Sequence, residues 1–547
     1  MGGGLIQLVA YGAQDMYLTG NPQITFFKAI YRRHTNFSIE SVKQTFNGTA
    51  DFNNEASATI SRNGDLIYRM YLQTTLPQIN LSTSLSSGHY KAFRWLNWPG
   101  HNLIKTVKLE IGGDEIDRHT GEWLHIWNEL TQKSEHGAAY AEMVGNVPKL
   151  TQIHSTNTSS TDCIIDSYTM YIPLQFYFCR SPGLALPIIA LQYHDVKVTF
   201  EFNTLDKCIW ATQQDSSTSY VYKTGSSVLS SVTLGDTNLY VDYIFLDTNE
   251  RRRFAQVQHE YLIDKLQGLN KDVSVSSGNT QTTVRINLNH PVKELIWVTQ
   301  PNSFSDANYS QARAGYQPFN YTDAWDYTNF TGTPENYYGP GMVGGRGQQN
   351  MWYGLPTVKV SGALNTDNAW ATTTTAASVT NTNAGYNDVS DYTSSSGVNL
   401  YSARNVEKLL GPASAQPVSG NSSGLWSMTS NDANIMDAGR NPTTSAKILL
   451  NGNERFSQRN GFYFNVVVPY ECHTASPAPG INVYSFALKP EDHQPSGTCN
   501  FSRIDNAELV INLSTNTQSV NCKVRYFALS YNILRIMSGM GGLAYSS

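Results

Sequence analysis

Three acidic residues close to one another are the first candidates for chemistry. Asp114, Glu115 and Asp117 follow the Gly112-Gly113 pair at the end of a strand-like run. Two carboxylates can hydrolyse a glycosidic bond when one has a raised pKa and the other faces it as a base. Because these three residues follow a Gly-Gly turn, we predict a solvated turn instead.

Other candidates also favour structural roles. His119 and His125 are six positions apart, which matches no familiar zinc motif, and Gly344-Gly-Arg-Gly347 has neither a strand before it nor the Lys-Ser/Thr of a phosphate loop after it. We therefore predict no catalytic residue, no metal site and no cofactor. The cysteines show no C-x-x-C spacing, which predicts a reduced chain inside a cell. They are Cys163, Cys179, Cys208, Cys472, Cys499 and Cys522.

The densest basic run is Arg251-Arg-Arg253. It lies in a predicted short helix, Asn249–Val257, and on a helix the i, i+4 spacing places Asp247 beside Arg251. We predict a rigid, partly buried connector in which the arginines pair with carboxylates and Phe254 and Val257 face the flanking domains. A phosphate site is the alternative.

Composition excludes several classes of protein. The chain has 547 residues, of which 38 are basic and 43 acidic, so the net charge is −5 and no basic excess is available for wrapping nucleic acid. The most apolar stretch, Gly183–Leu191, is about half the length needed to cross a bilayer. The first residues lack the pattern of a secretion signal. We expect an intracellular protein that does not span a membrane.

Short runs with period-two alternation dominate the chain and predict a mostly β protein. Helical spacing is predicted only for Thr120–Ala141, where Trp123, Ile126, Trp127 and Leu130 share one face, and for the connector. The predicted strands are Leu66–Leu76, Thr106–Ile111, Tyr168–Phe178, Val196–Phe202, Leu239–Leu246, Thr283–Leu288, Glu294–Val298, Lys447–Leu450, Gly461–Val468, Val483–Leu488, Ala507–Leu513 and Val524–Tyr531.

The same series of segments occurs twice along the chain. Asp65–Pro77 is similar to His290–Pro301, because both are alternating strands that end in proline. Two further pairs follow in the same order: Lys108–Ile116 with Lys447–Arg455, and Tyr240–Leu246 with Val524–Ser530. The order predicts two tandem β-sandwich domains, although any two all-β stretches share such alternation.

A long insertion, Asn302–Ser445, separates early from later strands of the second half. It is rich in Tyr, Asn, Thr, Ser and Gly and contains Trp325, Trp352, Trp370 and Trp426. Disordered segments are poor in aromatic residues, so we predict a folded, outward-facing crown. Glycosylation sequons are spread over the chain, at Asn36, Asn47, Asn80, Asn157, Asn308, Asn320, Asn329, Asn421, Asn500 and Asn512.

The first residues predict an arm outside both sandwiches. Gly2–Gln23 begins with three glycines and has apolar residues too sparse for a core strand, so we expect it to order only against neighbours.

Several segments resemble the major capsid proteins of nucleocytoplasmic large DNA viruses. The resemblance covers both halves and both ends of the chain. It is carried by Gly2–Lys28, Tyr31–Phe37, Leu184–His194, Asp242–Ala255, Ser485–Pro490, Gln494–Arg503 and Asn532–Tyr545.

This resemblance implies an all-β double jelly roll, that is, two eight-stranded antiparallel sandwiches with short helices, and a non-enzymatic capsid subunit. It implies homotrimers that form pseudo-hexagonal capsomers in a virion shell, with neighbouring capsomers, minor capsid proteins and penton proteins as partners. It also implies a membrane inside the shell that the chain does not span, no direct contact with nucleic acid, and assembly in the host cytoplasm.

The expected domain map follows from these points. It consists of an arm (1–25), a first jelly roll (26–248), a connector (249–258), a second jelly roll (259–537) with the crown at 302–445, and a tail (538–547). The alternative function is a carbohydrate-binding or glycan-processing β-sandwich protein, which the Tyr- and Trp-rich crown suggests.

Overall fold

The computed structural model describes residues 2–81, 90–151, 154–157, 164–214, 222–224, 229, 232–269, 272–305, 317–323 and 440–545. The strands are β1 (Phe37–Gln44), β2 (Glu55–Thr59), β3 (Leu66–Leu76), β4 (Ile79–Asn80), β5 (Tyr90–Trp95), β6 (Ile104–Ile111), β7 (Asp114–Thr120), β8 (His154–Asn157), β9 (Ile164–Ile165), β10 (Tyr168–Pro173), β11 (Val196–Phe202), β12 (Ile209–Gln214), β13 (Tyr222–Thr224), β14 (Asn238–Leu246), β15 (His259–Gln267), β16 (Val273–Val275), β17 (Gln281–Arg285), β18 (Pro291–Pro301), β19 (Thr443–Leu450), β20 (Asn453–Glu454), β21 (Arg459–Asn460), β22 (Ile481–Ser485), β23 (Cys499–Asn500), β24 (Ala507–Leu513), β25 (Cys522–Met537) and β26 (Met540–Leu543). The α-helices are α1 (Gly3–Val9), α2 (Met16–Thr19), α3 (Pro99–Leu103), α4 (Gly121–Thr131), α5 (Gly137–Met143), α6 (Pro148–Thr151), α7 (Tyr177–Arg180), α8 (Thr248–Gln256), α9 (Val468–Cys472) and α10 (Thr515–Gln518).

The first lobe, which carries β1 to β14, is a sandwich of two four-stranded sheets. One sheet has the order β1-β14-β3-β10 and the other has the order β2-β11-β6-β7, with antiparallel pairing throughout. A further small sheet, β13-β12-β5-β8, comes from the connections between these strands. The order of the eight main strands is that of a jelly roll, in which two Greek keys fold over each other.

The second lobe, which carries β15 to β26, repeats this order. Its main sheets are β15-β25-β18-β22 and β17-β24-β19-β20. Counted along each lobe, the first, eighth, third and sixth main strands form one sheet and the second, seventh, fourth and fifth form the other. The strands matched in the sequence, β3 with β18, β6-β7 with β19-β20 and β14 with β25, occupy equivalent places. The predicted double jelly roll is therefore confirmed.

Alternation along β18 and β25 divides their side chains between two apolar clusters. Leu295 and Trp297 point into the second lobe's own core, whereas Ile296 and Val298 point out of it. The outward residues are nevertheless fully buried. A strand that is covered on both faces has no polar face, which explains the apolar run Leu295–Val298 in the middle of β18.

Some predicted elements are wrong in type or length. Gly461–Val468 is not a strand, because Tyr463–Val467 forms a π-helix that continues into α9. The buried Asn465 amide donates to the carbonyls of Ala478 and Ile481 at 3.0 and 2.8 Å, which outweighs the strand preference of the valines. The predicted strand Tyr168–Phe178 ends at Pro173, and Tyr177 begins α7.

The helix predicted over Thr120–Ala141 is interrupted. Helix α4 ends at Thr131, a 3₁₀ turn covers Ser134–His136, and α5 begins at Gly137. Among the eight main strands of each lobe, β1, β2, β7, β15 and β20 were not predicted from the sequence.

The connector is helical, as predicted, but its environment differs from the expectation. No residue of α8 is fully buried and Val257 is exposed, although Phe254 packs on the first lobe. Asp247 caps the helix by accepting from the amide of Thr248 and does not pair with Arg251. The Arg251 Nε instead donates to Asp65 Oδ1 at 2.8 Å. Among the described residues, no carboxylate forms an ion pair with Arg252.

The long axis of the molecule has two distinct ends. At one end, here called the base, β1 begins beside the end of β14, and β15 begins beside the end of β25. At the other end, β18 finishes next to the start of β25. The 16 residues of β25 separate the two ends by about 50 Å. The N-terminal segment therefore joins the fold at the base, and the insertion leaves it from the opposite end.

Candidate functional site

The junction between the lobes is the most extensive buried arrangement outside the two cores. Helix α4 of the first lobe lies on the outer face of the second lobe's β15-β25-β18-β22 sheet. Thr120 caps this helix, because its hydroxyl accepts from the amide of Trp123 at 3.2 Å. Trp123, Ile126, Trp127 and Leu130, the face predicted from the sequence, are buried against residues such as Phe527.

Charged groups cross the same junction. Arg180 in α7 of the first lobe donates from Nη1 to Asp264 Oδ2 of the second at 3.2 Å, and its guanidinium lies over the Trp127 ring at 4.2 Å. Lys293, which is fully buried, donates to the same Asp264 oxygen at 3.0 Å. Each buried charge therefore has an opposite charge within hydrogen-bond distance, which offsets its desolvation.

The acidic candidates separate into exposed and buried groups. Asp114 and Glu115 are exposed, as predicted, but they begin strand β7 and do not belong to the turn. The prediction is wrong for Asp117, which is buried because the second lobe covers that side of β7. Its Oδ1 accepts from the amide of Leu266 at 3.2 Å, and its Oδ2 lies 2.9 Å from the Nε2 of His119. Asp117 thus links the two lobes, His119 holds its other carboxylate oxygen, and Asp117 is not one of a pair of catalytic carboxylates.

The two candidate histidines lie on different elements. His119 stacks on Phe176, whereas His125 on α4 packs against Phe319 and His101. Burial lowers the pKa of His125 well below its usual value, and the nearby His101 lowers it further. Burial also lowers the pKa of His101 to about 3. The imidazoles of His101 and His125 are therefore neutral at physiological pH and contribute to packing.

A buried ionic group in the second lobe was not predicted from the sequence. The Nε2 of His473 lies 2.9 Å from Glu294 Oε2, and its Nδ1 lies 2.8 Å from Glu491 Oε1. Burial alone lowers the pKa of His473, but the two carboxylates outweigh it and hold the pKa at about 9. The one indication in the sequence is the charged pair Lys293-Glu294 directly before the apolar run Leu295–Val298 of β18.

A cleft of about 360 Å³ opens beside the junction. Four of its charged lining side chains form two ion pairs, since Lys523 lies 3.3 Å from Asp272 and Arg525 lies 2.7 Å from Glu122. The cleft is therefore a gap between the two lobes and not a charged ligand pocket.

Cys179, Cys208, Cys472, Cys499 and Cys522 are free thiols and none is exposed. Within the described ranges, no group of three or more potential ligands could hold a metal ion, and no helix there is long and apolar enough to cross a membrane. The Gly344–Gly347 loop, Cys163 and the four crown tryptophans lie outside the described residues.

Comparisons with known proteins agree with this architecture. A family model described as "Major capsid protein N-terminus" matches residues 25–247, and one described as "Large eukaryotic DNA virus major capsid protein" matches residues 250–542. The major capsid protein of Phaeocystis pouchetii virus is 46% identical and that of Paramecium bursaria Chlorella virus 1 is 36% identical, and each alignment covers 100% of both chains.

Solved structures extend the comparison. A quasi-atomic model of the PBCV-1 virus capsid matches 96% of this chain and 100% of its own, with a TM-score of 0.57 and 30% identity. The Faustovirus major capsid protein has a TM-score of 0.59 at 12% identity, covering 96% of this chain and 94% of its own, and supports the fold alone. The relatives are more than 30% identical over their full length, and the second family model spans the second lobe. The chain therefore belongs to the major capsid proteins of large eukaryotic DNA viruses, and it is a structural subunit and not an enzyme.

Proposed function

We propose that three copies of this capsid protein associate into a homotrimer that serves as a pseudo-hexagonal building block. The observation that carries this proposal is the repeated strand order of the two lobes. Three chains with two similar lobes each present six similar lobes around one axis, although only three copies are used. A six-lobed block can tile a flat shell face through repeated lateral contacts.

The buried junction supports this role mechanically. A tile needs a fixed angle between its lobes, and here that angle is set by an apolar contact through α4 together with buried ion pairs. Large apolar interfaces oppose relative motion of domains. The α8 connector contributes less than the sequence predicts, because its contacts are few and exposed.

The wider setting is part of the proposal. The expected partners are neighbouring capsomers, minor capsid proteins and penton proteins, and a membrane lies inside the shell without being spanned. No direct contact with nucleic acid is expected. The free thiols support assembly in the host cytoplasm, where cysteines stay reduced. The proposed domain map has an arm at 1–25, jelly rolls at 26–248 and 259–537, a connector at 249–258, a crown at 302–445 and a tail at 538–547. Two of these bounds change, because β19 begins at Thr443 and because β26 (Met540–Leu543) pairs with β25 and so belongs to the second jelly roll.

Native mass measurement of the purified chain tests the trimer. A mass near three times 60.7 kDa, together with hexagonal particles in electron microscopy, is the expected result. A monomer at micromolar concentration would contradict it. Deletion of Gly2–Tyr17, which is exposed or half-buried throughout, should leave the trimer intact and impair shell assembly. The carbohydrate-binding alternative depends on the crown, and binding of the isolated crown to a glycan array is its test.

A further inference from the structure

An exposed apolar segment precedes the first strand of the fold. Residues 24–36, here called the basal segment, contain Phe26, Phe27 and Tyr31, whose exposed fractions are 86%, 97% and 88%. Ile24 and Ile30 are exposed as well. Single exposed apolar residues are common, but a run of large ones without intramolecular partners marks an interaction surface.

The basal segment is also cationic. It contains Lys28, Arg32 and Arg33, and no acidic residue occurs between Asp15 and Glu40. Among the described residues, no carboxylate forms an ion pair with these three cations. A chain with a net charge of −5 therefore carries a local positive, aromatic segment, which is complementary to an anionic surface.

The position of the basal segment agrees with contact to an extended surface. It joins β1 at the base, the end opposite the insertion. The turn between β25 and β26 lies at the same end and exposes Met537 and Met540, and Val257 is exposed after α8. Apolar side chains at the base are thus contributed by separate elements of the fold.

We propose that the basal segment binds the surface of an anionic lipid bilayer. Aromatic and aliphatic side chains enter the boundary between headgroups and acyl chains, while Lys and Arg contact acidic headgroups. Single-stranded nucleic acid also suits aromatic and cationic residues, but the isoleucines and methionines at the base favour lipid. The segment lies on the membrane, since it has neither the length nor the helical structure needed to span one.

Flotation of the purified full-length chain with lipid vesicles tests this inference. Phosphatidylcholine vesicles with and without phosphatidylserine should be compared at low and high salt. The chain should bind only the vesicles with phosphatidylserine, and less at high salt because salt screens the charges. Vesicle binding and native mass are independent measurements on the purified chain. Absence of vesicle binding would therefore not contradict the trimer proposal, and absence of trimers would not contradict the lipid proposal.

Variants locate the contact. Phe26→Ser with Phe27→Ser should abolish binding, and Arg32→Gln with Arg33→Gln should weaken it by about fivefold per cation. The matched control is Arg285→Gln with Arg503→Gln, which removes two exposed charges from the second lobe and should change nothing. All these side chains are exposed, so thermal melting should be unaltered.

Three results would overturn the inference. The first is that the chain binds neither type of vesicle. The second is that the control variant loses as much vesicle binding as the variants of the basal segment. The third is binding of a different partner. If the wild-type chain sediments without vesicles and Phe26→Ser abolishes this sedimentation, the partner is a second copy of the chain. If single-stranded DNA displaces the chain from vesicles, the partner is nucleic acid.

Discussion

The guanidinium of Arg525 in the second lobe donates from Nε to the Glu122 carboxylate of the first lobe at 2.9 Å. Its Nη2 donates to Gln300 Oε1 at 2.8 Å. The side chains of Arg525 and Glu122 are only 17% and 21% exposed, so water does little to compensate for loss of either partner. This pair fixes the start of α4 against β25.

Replacement of Glu122 by Gln should therefore destabilise the protein. We expect a loss of about 1.5–3 kcal/mol in the free energy of unfolding, because the Arg525 cation would stay largely buried without its carboxylate. Urea unfolding followed by circular dichroism measures this. The control is Glu454→Gln, which removes a more exposed pair with Lys447 and should cost only about 0.2–1 kcal/mol. Equal effects of the two substitutions would contradict the prediction.

In the connector, Arg251 should matter more than its neighbours. Asp65 is buried and accepts hydrogen bonds from both Arg251 and the amide of Leu246. Arg251→Ser should cost about 1 kcal/mol, since its exposed guanidinium is partly screened. Arg252→Ser with Arg253→Ser should cost nothing measurable in thermal unfolding. If all three arginines contribute equally, they act as the charge network predicted from the sequence.

The stability of the second lobe should fall at alkaline pH. The pKa of His473 is raised to about 9 by Glu294 and Glu491, so the folded state retains a proton that the unfolded state loses above about pH 6.5. This contribution is fully present below pH 6.5 and is lost as the pH rises through about 9, with a maximum of roughly 3 kcal/mol.

Unfolding by urea at pH values between 6 and 10 tests this prediction. His473→Gln should flatten the pH dependence in that window. The exposed His136 provides the control, and His136→Gln should keep the wild-type profile. A wild-type profile in the His473 variant would show that the imidazole carries no proton in the folded state.

The insertion should be removable if Asp323 and Arg440, which flank it, are kept. The amide of Asp323 donates to the Arg440 carbonyl at 3.0 Å, and the amide of Arg440 donates back to Asp323 Oδ1 at 2.8 Å. A short Gly/Ser linker in place of residues 324–439 can therefore join these two positions. We expect soluble protein with a melting temperature close to that of the wild type.

Removal of the whole predicted crown, 302–445, should behave differently. That range includes Tyr321, which is buried at the lobe junction, and Thr443, which begins β19. Loss of a buried aromatic and of part of a core strand should abolish soluble expression. If the shorter replacement fails as well, residues 324–439 are required for folding.

The sequence by itself determined the jelly-roll strands with clear periodicity and their duplication. Alternation reports which residues face a core, and this is local information: Leu66–Leu76, Val196–Phe202 and Ala507–Leu513 were predicted with their observed bounds. The apolar face of α4 was likewise identified from the spacing of Trp123, Ile126 and Trp127. Neither pattern states what that face packs against.

The tertiary structure alone decided which charged groups are buried and what neutralises them. Asp117 follows a turn that looks solvated in sequence, yet the second lobe covers it. Glu294 and His473 come from distant segments, and each is tolerated in the interior only because the other is present. The π-helix at Tyr463–Val467 depends in the same way on carbonyls supplied by a later segment. Burial of a polar group depends on partners that meet only when the chain is folded, so no local pattern contains it.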